Sequence, residues 1–153
     1  MKVLLVNPPL DSSITRRLGP VAAALFYNSM PLGICYLAAV LRNECNIVKI
    51  IDAPAEKLSI DDVVKNVIKF NPDAVGITSF TVSANSCYEL AKQIKKNKAA
   101  AKVIIGGPHI NANIGDLKDH PELDVAVLGE GELTFKELLV KISEDISKVE
   151  GIA

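Results

Sequence analysis

Five short apolar runs alternate along the chain with longer segments in which apolar residues recur at helical spacing. The runs are rich in Val, Ile, Leu and Ala, and each is followed by proline, glycine or polar residues. Such runs are typical of strands buried on both faces of a parallel sheet. The pattern therefore predicts five strands, at Lys2–Val6, Ile47–Ile51, Ala74–Thr78, Lys102–Ile105 and Asp124–Leu128.

The segments between the runs predict connecting helices. Pro31 suits the first turn of a helix, and Ser59 followed by Asp62 resembles a capping box in which Asp replaces Glu. The connection Asn7–Met30 is much longer than an ordinary strand-to-helix loop, so it is either functional or disordered. The helices are predicted over Pro31–Glu44, Ser59–Phe70, Ala84–Asn97, Asn111–Leu117 and Leu133–Ile146.

Alternating strands and helices predict an α/β fold with a parallel sheet. Doubly wound sheets commonly have the strand order 3-2-1-4-5 or 2-1-3-4-5. We favour 2-1-3-4-5, because the five strands and their helices then form one compact three-layer, flavodoxin-like or Rossmann-like unit. The switch point then falls between strands one and three, and ligands of open α/β sheets bind at such a point.

Length, charge and cysteine content narrow the class of protein. The chain has 153 residues and a net charge of −1, which gives no basic surface for nucleic acid or an anionic membrane. The apolar start Met1–Val6 is too short for a signal peptide, and no run is long enough to span a membrane. Cys35, Cys45 and Cys87 form no close pair, which favours a reducing cytoplasm and small core residues over disulfides or a zinc site.

Unusual residues follow four of the predicted strands, at the edge where ligands bind. Glycines permit close approach, prolines stiffen the loops, and hydroxyl and amide groups supply donors and acceptors. We therefore predict one binding site formed by Asn7, Pro8, Pro9, Ser79, Phe80, Thr81, Gly106, Gly107, Pro108, His109, Gly129, Glu130 and Gly131.

The chemistry of this edge leaves several roles open. His109 either contacts a ligand or partner, or bonds only to backbone, whereas His120 is expected to be exposed in a turn. Gly106 and Gly107 form either a ligand wall or only a tight turn. No dinucleotide glycine motif, P-loop or nucleophile triad is present, so no catalytic residue is predicted.

Five sequence blocks recur in order along the chain: Val3–Pro9, Pro31–Ala38, Asp73–Ser79, Ile105–His109 and Val127–Glu132. Together they resemble the cobalamin-binding domain at the amino end of radical S-adenosylmethionine enzymes. They span nearly the whole chain, and their order and spacing are more specific than any single block. The resemblance implies that residues 1–150 bind cobalamin, with its nucleotide tail at the sheet edge and the corrin ring over the loops.

Two motifs of related proteins are missing. Methionine synthase and the mutases carry Asp-x-His-x-x-Gly after the first strand, where the histidine binds cobalt, but here the sequence is Asn7-Pro8-Pro9-Leu10-Asp11. The resemblance therefore implies no histidine ligand from this loop, and no metal-binding residue is predicted. The three cysteines also cannot supply a Cys-x-x-x-Cys-x-x-Cys motif.

Under the resemblance, the missing cysteine motif implies that the chain is either a piece of a longer enzyme or an isolated binding domain; we favour the first. The 4Fe–4S cluster and S-adenosylmethionine would then belong to a C-terminal radical domain of the same chain, with residues 151–153 starting the linker. The parent enzyme would transfer methyl groups or carry out a related radical conversion, and the fragment alone would not be catalytic. The apolar stretch Val21–Phe26 would meet the other domain.

Two other interpretations remain open at this point. The same strand order suits a flavodoxin-like or receiver-like signalling or interaction domain, although the acid pair and phosphate loop of such domains are missing. The other is a small standalone enzyme in which His109 and Glu130 act as an acid–base pair.

Overall fold

The computed structural model describes residues 1–11, 17, 30–44, 46–142 and 144–153. Its five strands form a single sheet in the order β2-β1-β3-β4-β5, and every neighbouring pair is parallel. The predicted strand order is therefore confirmed. The strands are β1 (Lys2–Asn7), β2 (Ile47–Asp52), β3 (Ala74–Thr78), β4 (Lys102–Gly106) and β5 (Val125–Val127).

Helices follow the strands and cover both faces of the sheet. They are α1 (Leu32–Asn43), α2 (Ala53–Glu56), α3 (Ile60–Phe70), α4 (Ala84–Asn97), α5 (Pro108–Ala112) and α6 (Gly131–Lys141). The predicted capping box of α3 is present, because Ser59 Oγ accepts from the Asp62 N–H at 3.2 Å and Asp62 accepts from the Ser59 N–H at 3.3 Å. Within the described residues, no helix is long and apolar enough to cross a membrane.

Two predicted helices have different bounds in the structure. The helix after β4 begins at Pro108 rather than Asn111, because proline suits the first helical turn, and a separate 3-10 helix follows at Ile114–Lys118. The last helix spans α6 rather than Leu133–Ile146. Beyond α6, a separate 3-10 helix spans Ile146–Lys148. The Asp145 carboxylate caps it by accepting from the Ser147 N–H at 2.9 Å.

Successive strand residues face opposite layers, which divides the core in two. Leu4 and Ile105 belong to the cluster under α3 and α4, whereas Leu5 and Ile104 belong to the cluster under α1 and α6.

Cys87 lies in the cluster under α3 and α4, where burial raises the pKa of its thiol to about 12, so its prediction as a core residue is confirmed. Cys35 is only half-buried, and Cys45 and Val21–Phe26 lie outside the described residues.

The last residues of the chain lie along the free edge of β5. Ile152 forms an antiparallel bridge with Val127, and the Ala126 N–H donates to the Ala153 carbonyl at 2.7 Å. Residues 151–153, predicted to start a linker, therefore extend the sheet by one short antiparallel segment.

A close backbone contact fastens the end of β3 to the turn after β4. Gly107 has φ +104° and ψ 178°, a conformation that essentially only glycine adopts. A Cβ at Gly107 would lie 2.8 Å from the Ser79 carbonyl oxygen and 2.9 Å from the Ser79 nitrogen. The buried Ser79 hydroxyl and N–H both donate to the Gly106 carbonyl, at 2.8 and 2.7 Å, and the His109 N–H donates to the Ser79 carbonyl at 3.0 Å.

We expect Gly107→Ala to lower the free energy of unfolding by about 3 kcal/mol, because the new methyl group meets backbone that cannot move aside. Urea denaturation measures the change. Gly115→Ala is the matched control, since a Cβ at Gly115 meets nothing within 4 Å. Equal stability of the two variants would contradict the proposed close contact.

Candidate functional site

A cavity of about 480 Å³ opens at the carboxyl edge of the sheet, on the face covered by α1 and α6. Its floor includes Leu5 of β1 and Gly76 of β3, which are paired across the point where the strand order reverses. Cavities of this volume are typical of small-molecule sites, and this position is where open α/β sheets bind ligands.

The inner part of the cavity is apolar. Leu5, Gly76 and Ile104 are neighbours in one cross-strand row, and α1 and α6 cover this row. A Cβ at Gly76 would lie 2.8 Å from Leu5 Cδ2 and 3.0 Å from Phe135 Cε2, so the glycine lets the Phe135 ring approach the sheet. We call this region the cavity interior; it consists of Leu5, Ile34, Leu37, Gly76, Ile104 and Phe135.

Two glycine-rich loops form the mouth of the cavity, called here the cavity rim: Gly106–Pro108 after β4 and Gly129–Gly131 after β5. Gly129 has φ +69°, in the left-handed region that favours glycine. The Gly129 N–H donates to Asn111 Oδ1 at 3.0 Å, so a side chain of α5 joins the two loops. The predicted residues that line the cavity are Phe80, Gly106, Gly107, Pro108, Gly129, Glu130 and Gly131.

Other predicted residues lie at the same edge but outside the cavity wall. The Asn7 amide donates to Asp52 Oδ1 of the neighbouring strand end at 2.8 Å. Pro8 is buried and Pro9 is half-buried in the segment that follows β1. Ser79 is committed to the contact between β3 and β4 described above. None of these side chains faces the cavity that the described residues enclose.

His109 is held in a network of side chains rather than in the cavity wall. Its Nδ1 lies 3.2 Å from Thr81 Oγ1, and its Nε2 lies 3.1 Å from the Tyr88 hydroxyl and 3.2 Å from Asp116 Oδ2. The alternative that His109 bonds only to backbone is therefore wrong, whereas its contact with a ligand or partner stays a prediction. Glu130 lines the cavity and His109 does not, so they do not form the acid–base pair that one interpretation required.

Tyr88 is the centre of this network. Its hydroxyl donates to Asp116 Oδ2 at 2.6 Å, which lowers the pKa of Asp116, while burial raises the pKa of Tyr88. The His120 ring stacks on the Tyr88 ring, with centroids 3.6 Å apart and an angle of 13°. The expectation that His120 is merely exposed is therefore wrong, because its ring packs against the apolar ring of Tyr88.

Sequence reasoning missed several residues that shape the site. Asn111 and Thr78 line the cavity, as do Gly76 and Phe135. A glycine inside a predicted strand was a usable signal for close approach at Gly76. Asp11 was also missed: its buried carboxylate accepts from the Ser86 N–H at 2.8 Å and the Ser86 hydroxyl at 2.6 Å, which fixes the segment after β1 to the start of α4.

The charged groups of the cavity are acidic and lie at its mouth. Glu130 and Glu132 line it, and among the described lining residues there is no Lys, Arg or His. Within the described part of the chain, no three His, Cys, Asp or Glu side chains are grouped to hold a metal ion. The site therefore suits a ligand that brings its own metal or needs none, and that is held by apolar contact and backbone groups.

Comparison with known proteins supports the same class of ligand. The family described as "B12 binding domain" matches residues 19–139. An uncharacterized methyltransferase of Pyrococcus horikoshii is 42% identical over 94% of this chain and 30% of its own length. The cytidylyl-2-hydroxyethylphosphonate methyltransferase of Streptomyces wedmorensis is 34% identical over 99% of this chain and 31% of its own length.

A solved structure shares the fold. The cobalamin-dependent S-adenosylmethionine radical enzyme OxsB, solved with aqua-cobalamin and S-adenosylmethionine bound, superposes with a TM-score of 0.78 at 21% identity, over 99% of this chain and 20% of its own. The chain thus spans about 30% of the length of the curated relatives described above. The matching blocks, the strand order and the family match agree, and the chain belongs to the B12-binding domain family, whose cofactor is cobalamin.

Proposed function

We propose that this domain holds cobalamin with its nucleotide tail in the cavity and its corrin ring outside, over the loops at the carboxyl edge. The observation that carries the proposal is the cavity itself, which has an apolar interior and a backbone rim at the switch point of the sheet. A cavity of about 480 Å³ encloses a drug-sized group, and a whole corrinoid is much larger. Only part of the cofactor therefore fits inside.

The residues present suit such a ligand. The cavity interior offers an apolar surface for an aromatic base, and Gly129 and Gly131 leave two positions of the rim without a side chain that would block a bulky group. Asn7, Pro8 and Pro9 follow β1 at the same edge, so a ring lying over the loops would pass beside them. Ser79 supports the rim through its bonds with the end of β4 and with α5, and Thr81 and His109 support it through contacts that join α4 and α5.

Cobalamin supplies a cobalt centre that can carry a methyl group. The contribution of this chain is to bind the cofactor, fix its orientation and keep water from the buried base. Because the relatives named above are methyltransferases and the chain spans only part of their length, we propose that a C-terminal radical S-adenosylmethionine domain uses the cofactor. The 4Fe–4S cluster and S-adenosylmethionine would belong to that domain, in a cytoplasmic enzyme.

Retention of cobalamin tests this proposal directly. We expect the purified protein, mixed with hydroxocobalamin and desalted, to keep corrin absorbance in a one-to-one complex. Gly33→Trp should weaken binding by about tenfold or more, because Gly33 lines the cavity and a Cβ there meets none of the described residues within 4 Å, so the ring can occupy space that the ligand needs.

The matched control for this variant is Gly115→Trp, another glycine with open space around its Cβ but outside the cavity wall. It should bind cobalamin as the unmodified protein does. Loss of all corrin absorbance from the unmodified protein would refute the proposed function, and equal binding by both tryptophan variants would place the ligand elsewhere.

The cobalt is expected to have no protein nitrogen ligand. Both ring nitrogens of His109 have partners in Thr81, Tyr88 and Asp116. The His120 ring stacks on Tyr88, and its Nδ1 lies 3.2 Å from Glu122 Oε1. The sequence after β1 up to α1 contains no histidine. Electron paramagnetic resonance of the complex reduced to Co(II) should therefore show no splitting from an axial nitrogen. His109→Gln should give the same spectrum, whereas nitrogen splitting that disappears in this variant would show that His109 binds the metal.

A further inference from the structure

The cavity separates polar from apolar chemistry by depth. The polar side chains among its described lining residues are Thr78, Asn111, Glu130 and Glu132. All four lie at or beyond the carboxyl ends of the strands: Thr78 ends β3, Asn111 is in α5, and the two glutamates border or begin α6. The side chains of the cavity interior, by contrast, are entirely hydrocarbon.

The strand backbone under the interior is already used within the sheet. Leu5 pairs with residues of β2 and β3, Gly76 with β1 and β4, and Ile104 with β3 and β5. Strands with a partner on each side use their N–H and C=O groups in the sheet. A ligand group that reaches this depth therefore meets hydrocarbon side chains and strand N–H and C=O groups that already have partners in the sheet.

At the mouth of the cavity, two of the polar side chains are occupied by contacts within the protein or lie beside its backbone. Asn111 Oδ1 accepts from the Gly129 N–H, and its release would separate the two rim loops. A Cβ at Gly107 would lie 3.1 Å from Thr78 Oγ1, which places this hydroxyl beside the turn after β4 rather than in the interior. Both side chains therefore lie at the mouth: the Asn111 oxygen is already bonded, and the Thr78 hydroxyl lies beside the turn after β4.

We propose that this cavity selects corrinoids by their lower base, taking a benzimidazole in preference to a purine. The inference rests on the proposed function, with the nucleotide tail inside the cavity. A dimethylbenzimidazole presents a methylated carbon edge that the interior can cover. Adenine carries an exocyclic amine and additional ring nitrogens, and each group buried without a partner weakens binding by roughly tenfold.

The test compares three corrinoids on the same protein: cobalamin, its adenine-bearing counterpart and cobinamide, which lacks the nucleotide. Titration followed by absorbance should show that cobalamin binds at least about tenfold more tightly than either of the others. Equal affinity for the adenine corrinoid would overturn the selectivity while leaving cobalamin binding intact. Equal affinity for cobinamide would show that the tail lies outside the cavity, and no binding of any corrinoid would refute the proposed function itself.

A variant pair tests whether the interior is the cause. Leu37 is half-buried on α1 and lines the cavity, so Leu37→Gln places an amide where a purine could use it. We expect this variant to reduce the preference for cobalamin over the adenine corrinoid by roughly threefold to tenfold. Val40→Gln, also half-buried on α1 but outside the cavity wall, should leave the preference unchanged. An unchanged preference in a folded Leu37→Gln protein would overturn the assignment to the interior.

Discussion

The contact between Gly107 and Ser79 determines the shape of the site. At this point the turn after β4 lies directly against the backbone at the end of β3, with no room for a single extra carbon. Ser79 uses its hydroxyl, N–H and carbonyl to hold Gly106 and His109. Because these bonds join two central strands, the position of Pro108 and the start of α5 follows from the sheet itself and not from a free loop.

The rest of the rim depends on that fixed start. Asn111 lies one turn further along α5, where its side chain accepts from Gly129 and so sets the position of the loop after β5. His109 anchors the opposite side of α5 through Thr81, Tyr88 and Asp116. A rim held in this way is formed before any ligand arrives, which reduces the ordering cost of binding. The polar side chains of Asn111 and His109 therefore act mainly by fixing the positions of the rim loops.

The sequence predicts the sheet well because buried parallel strands leave a simple signal. Apolar runs such as Val103–Ile105 end at glycine or proline, and the strand order follows from compactness. It predicts the rim in part, since the glycine loops at Gly106 and Gly129 are local features. It cannot reveal that His109 faces Tyr88, or that Asn111 reaches Gly129, because those contacts depend on how α5 is oriented. The capping box at Ser59 shows the opposite case: its partner Asp62 is only three residues away, so the contact can be predicted from the sequence.

The segment after β1 indicates where the affinity for a corrinoid would come from. Asn7 is committed to Asp52 and Asp11 to the start of α4, so these two polar side chains serve the fold. Under the proposed function, neither of these two side chains bonds to cobalt, and the apolar interior supplies most of the binding energy through the buried base. Burial of apolar surface contributes about 25 cal/mol per Å², so a covered aromatic base offers several kcal/mol. A domain that relies on that term would be sensitive to the base and indifferent to the axial ligand of the metal.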